Sequence, residues 1–144
     1  MFNFTPMMTR SALAKGLGFL VGLFGFFGTR VISPNADPLF AWGIFALFIS
    51  IGGIVGVIGI IKRVPLLNFP LPPVLRGGAM GAWFTFLCVI FGYDMINVAM
   101  QDISYLPDFM RNPFWMVLDG FFLGAAIDMI VSRAVKDVPD LFNA

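Results

Sequence analysis

The stretch "FWMVLDGFFLGAAIDMIVSR", residues 114–133, decides the architecture. It has the length, about 20 residues, that carries a helix across ~30 Å of hydrocarbon. It also carries two acids, Asp119 and Asp128. A carboxylate at mid-depth in a bilayer costs about 2.5–3.5 kcal/mol on insertion scales, so each acid needs a partner or a wet surrounding.

Three further apolar segments accompany it. The four expected spans are Ser11–Gly28, Pro38–Ile61, Gly77–Met100 and Pro113–Val131. Of the 144 residues, 59% are hydrophobic and 12% charged, with a mean hydropathy of +0.92. A soluble domain carries about 25% charged residues. The expected fold is an all-α integral membrane protein, a compact four-transmembrane-helix bundle forming a single membrane domain. Arg10 and Lys15 precede the first apolar run, as in a signal peptide. The run is expected to be kept as the first span.

Spans two and four open alike. Asp37-Pro38 and Asn112-Pro113 each set a capping side chain before a proline at the first helical position. The cap accepts a free backbone N–H, and proline has none to leave unpaired. Trp42 and Trp115 follow at headgroup depth as aromatic anchors. The N-terminus, the second loop and the C-terminus hold Arg10, Lys15, Lys62, Arg63, Arg76, Arg133 and Lys136. The first and third loops hold Arg30 and Arg111. The positive-inside rule then places both termini in the cytoplasm.

Each span has two glycines four residues apart: Gly18/Gly22, Gly52/Gly56, Gly77/Gly81 and Gly120/Gly124. Such pairs allow close backbone approach, and in lipid that packing stands in for the missing hydrophobic drive. At least two of the pairs are expected at helix contacts.

Depth and azimuth sort the intramembrane charges. Asp119 lies six residues past Pro113, about 9 Å in, and Asp94 lies six residues before Met100 at a similar depth. On the third span Asp94, Asn97 and Gln101 fall within about 60° of one another, a polar stripe. Asp119 is expected to meet this stripe or a neighbouring subunit, with Arg30 as a possible counter-ion. Two carboxylates held close would favour a shared proton. Asp128 and Lys15 share a depth of roughly 7–8 Å from the other end, which makes them a candidate interhelical ion pair.

The connection "KRVPLLNFPLPPVLR", residues 62–76, is apolar with basic flanks. Its prolines exclude a regular helix, and it reads as an interfacial connector. A second reading makes it a partner-docking loop through Pro65, Phe69, Pro70, Pro72 and Pro73.

Composition narrows function. The chain has no His, no Glu and one Cys. A Ser-His-Asp or Cys-His arrangement is impossible within it, as are histidine-ligated haem and an internal disulfide. No cofactor, no metal and no nucleic-acid partner is expected. The nine methionines read as adaptable packing. The expected function is a non-catalytic accessory subunit of a larger membrane complex, in contact with lipids and other membrane subunits, as a hetero- or homo-oligomer. The setting expected is a bacterial inner membrane. The alternative is a small oligomeric transporter or channel built on Asp94, Asn97, Gln101, Asp119 and Arg30.

Overall fold

Proline and its capping neighbours mark where the helices start. In the computed structural model, which describes residues 5–59, 61–64 and 69–135, α1 spans Pro6–Ile32. Thr5 Oγ1 accepts from Met8 N (3.4 Å), and Pro6 occupies the first turn. The helix exceeds the apolar run Ser11–Gly28 at both ends, because Thr9, Arg10, Thr29 and Arg30 are polar but not helix-breaking. It stops at Ser33, just before Pro34. The next helix, α2, spans Pro38–Ile58, with Asp37 Oδ1 accepting from Leu39 N (2.8 Å). It ends at Gly59, short of the expected Ile61.

The connection then forms a two-residue antiparallel pair, β1 (Arg63–Val64) with β2 (Phe69–Pro70). Leu71 N donates to Lys62 O (2.8 Å) and extends the pair at its open end. Helix α3 spans Pro73–Gln101 and starts four residues before the expected Gly77. Pro73 is tolerated there because the first helical N–H has no intrahelical partner to lose. Gly92 leaves helical dihedrals (φ −117°, ψ 23°) and kinks α3.

A short 3₁₀ turn, Asp108–Arg111, leads to α4, Trp115–Ala134. The Asn112 cap is present, with Oδ1 accepting from Phe114 N (3.0 Å). However, the carbonyls of Asn112 and Pro113 accept from Trp115 N and Met116 N, three residues on. The entry is therefore wound tighter than an α-helix, and α4 begins two residues later than Pro113.

All four helices are long and apolar enough to cross a membrane. Their outer faces bear large exposed apolar side chains such as Phe24, Phe91 and Phe122. A hydrocarbon surrounding suits such faces.

The bundle is two hairpins, α1–α2 and α3–α4. All four glycine pairs sit at their seams. A Cβ on Gly22 would lie 2.8 Å from the carbonyl oxygen of Phe45, and one on Gly56 would lie 2.8 Å from Ser11 Cα. Gly18 and Gly52 oppose each other directly. In the second hairpin Gly77 and Gly81 lie against the backbone of Gly124 and Gly120. No side chain fits between these backbones, so dispersion contacts run the length of each seam.

The hairpins meet over a smaller core. Leu47, Phe48, Ile51 and Val55 of α2 pack with Ile127 and Val131 of α4. Ser33 Oγ adds a hydrogen bond to Ala99 O (2.8 Å) beside the α1–α2 and α3–α4 connections. At the other end, which bears the termini and the 59–72 connection, charge joins the hairpins.

Candidate functional site

Glycine spacing positions that charge cluster. On α1 the buried stripe is Arg10, Ala14, Gly18 and Gly22, each four residues from the next. On α4 the buried Gly120, Gly124 and Asp128 repeat the same step, and Ser132 continues it. Residues four apart share a helix face. The glycines that fix each seam therefore also aim Arg10 and Asp128 inward. Arg76 directly precedes Gly77 on α3 and is buried with it.

The three charges converge. Asp128 is 0% exposed, Arg10 2% and Arg76 5%. Arg76 grips the carboxylate with two bonds, Nε to Oδ2 (2.7 Å) and Nη2 to Oδ1 (3.0 Å). Arg10 Nη2 donates to the same Oδ1, as does Ser132 Oγ (3.2 Å). Ser132 Oγ in turn accepts from Arg10 Nη1 (3.1 Å) and Arg76 Nη2 (3.3 Å). Arg76 Nη1 donates to Ile61 O (2.9 Å) and so ties the 59–72 connection to the cluster. Charge-assisted bidentate bonds are the strong class, and here they link α1, α3 and α4.

The expected Lys15–Asp128 pair is not formed. Lys15 is exposed, and Asp128 is held by Arg10 and Arg76. Counted depth had matched Lys15 to Asp128, but Asp128 meets Arg10, five residues nearer the start of α1. At 100° per residue, one step from the buried Ala14 turns Lys15 away from the seam.

The expected outer polar site is divided. Asp119 borders a 580 Å³ cavity toward the α1–α2 and α3–α4 connections, walled by all four helices. Phe24, Ile44, Phe48, Ile96 and Phe122 make most of this lining apolar. The hydroxyls of Thr29 and Thr85 donate to carbonyls of their own helices, Gly25 O and Gly81 O (2.8 Å each). Asp119 is exposed and has no hydrogen-bond or ion-pair partner among the described residues.

Asp94 lies elsewhere, with Arg30 and Asp37 in a second cleft of 650 Å³ beside the α1–α2 turn. Asn97 is half-buried and Gln101 exposed, and neither lines these two cavities. Among the described residues, no three His, Cys, Asp or Glu side chains come together as a metal site.

In the proposed docking loop, Pro65 and the side chain of Phe69 lie outside the described residues. Pro70 and Pro72 are exposed, while Pro73 is half-buried as the first residue of α3.

Arg10 and Arg76 were not among the expected site residues. Their signal was nonetheless present: stepping back by four from Gly22 and Gly18 reaches Ala14 and then Arg10. No known protein family, curated protein or solved structure matches the chain.

Proposed function

We propose that this chain is a non-catalytic accessory subunit of a larger membrane protein complex. We place it as a multi-pass protein of a bacterial cytoplasmic membrane with both termini inside. The excess of basic residues at the end bearing the termini supports that orientation.

One observation carries the subunit reading. Asp119 sits on a helix apolar enough to cross a membrane, at the edge of an apolar cavity, with no partner among the described residues. An acid in that position needs a partner from outside the chain, and a helix of another subunit bearing a donor or a cation provides one. The Arg10–Asp128–Arg76 cluster fits the same reading as an internal clamp that holds the shape a partner meets.

The test is mild-detergent purification of the whole chain with its partners, followed by mass spectrometry. Recovery with larger subunits, lost in Asp119→Asn, is the expected result. Recovery as a homo-oligomer alone would refute it. A second reading, a small oligomeric transporter, draws on Arg30 and Asp94 sharing one cleft. It requires ion or solute flux in liposomes that Asp94→Asn abolishes without loss of assembly.

A further inference from the structure

Among the described residues the buried cluster does not balance its charge. Arg10 and Arg76 bring two positive charges, and Asp128 brings one negative charge. An uncompensated charge held away from water is costly unless an opposite charge joins it. One donor in the cluster is also unused: Arg10 Nε is buried and has no acceptor among the described residues.

Arg10, Arg76 and Ser132 border a 260 Å³ cavity together with a third cationic residue, Lys62, and its wall includes Gly59, Leu71 and Pro73. Pro73 is the first residue of α3, so the positive end of that helix dipole lies at the same cavity. Gly59 matters to the shape. A Cβ there would run into the Arg10 guanidinium, so any larger residue would displace that group from its present position.

We propose that this cavity binds a phosphate group, and that its ordinary source is the headgroup of an anionic phospholipid. A phosphodiester carries one negative charge, the amount the cluster lacks. Its oxygens only accept hydrogen bonds, which suits guanidinium donors. The location suits a lipid. Arg10 and Arg76 lie four and three residues inside the starts of α1 and α3, about 5–6 Å along each helix. Basic pockets between spanning helices at that level are where headgroups are within reach.

The test uses the whole chain, purified in a neutral detergent and stripped of lipid. Its unfolding temperature is followed as phosphatidylglycerol, phosphatidylcholine or inorganic phosphate is added. Phosphatidylglycerol at a hundredfold excess over its Kd should raise that temperature by about 5–10 °C. Phosphatidylcholine, whose choline cancels the charge, should do much less. If inorganic phosphate matches phosphatidylglycerol, the phosphate site stands and its source is the soluble ion.

Arg10→Gln neutralises the cluster yet keeps the Arg76–Asp128 pair. It should weaken binding about tenfold or more. Leu71→Trp, which fills the cavity without touching the charges, should also blunt the response, and it serves if Arg10→Gln does not fold. No shift with any probe, equal shifts with phosphatidylcholine, or an undiminished response in either folded variant would overturn the proposal.

Discussion

Replacing Asp128 by asparagine isolates what the clamp contributes. The side-chain volume hardly changes, so no cavity opens in the seam. The Asn oxygen can still accept from one guanidinium, but its amide nitrogen then faces another donor. Two arginines, 2% and 5% exposed, lose their shared counter-charge. Breaking a buried pair in this way costs about 3–5 kcal/mol. Polar contacts between helices in lipid average only about 0.6 kcal/mol, reaching ~1.7. The two figures are far enough apart to be told apart.

The assay is reversible unfolding in zwitterionic micelles titrated with a denaturing detergent and followed by circular dichroism. A loss above about 3 kcal/mol is expected. A loss under about 1 kcal/mol would show that the cluster behaves as an ordinary polar contact and would refute the clamp. A companion variant sharpens the test. Arg10→Met, Arg76→Met and Asp128→Leu together remove every charge, and the triple variant should come out near wild type or better. If it unfolds as readily as Asp128→Asn, lost packing rather than an orphaned charge explains the single variant.

Glycine position should matter more than glycine content. Gly81→Ala drives a methyl into the backbone of Gly120 and should cost at least 1–3 kcal/mol, roughly the range for overpacking, in the same unfolding assay. Gly16 has nothing within 4 Å of a new Cβ, so Gly16→Ala should be neutral or stabilising by about 0.5–1 kcal/mol. Orientation can be read in cells with a membrane-impermeant thiol reagent in a Cys88→Ser background. Tyr105→Cys, exposed in the α3–α4 turn, should label from outside, whereas Arg133→Cys should label only after lysis.

Some features were legible without any tertiary information. The count of helices follows from four apolar runs of spanning length, since a backbone in lipid must satisfy its own hydrogen bonds. Helix starts at Pro38 and the Asn112 cap were readable from local chemistry, though the tight entry at Asn112-Pro113 delayed α4. The ends of α1 were missed because hydropathy marks where a chain is apolar, while a helix continues until something breaks it. The glycine pairs foretold their contacts because the fixed step of four keeps them on one face.

Relative depth could be counted from the fixed rise per helical residue, but azimuth could not. Whether Lys15 or Arg10 meets Asp128 depends on how each helix is rotated about its axis, and packing against a neighbour sets that rotation. Asp94 and Asp119 make the same point. Expected at one depth, they fall in different cavities because the α3–α4 seam runs through Gly77, Gly81, Gly120 and Gly124 and leaves these two acids off it. Four spanning helices, the capped proline start of α2 and the one-face glycine pairs could be read from the chain itself. Only the tertiary structure decided which charges meet, because close backbone contact at the glycine seams fixes the rotation of every helix.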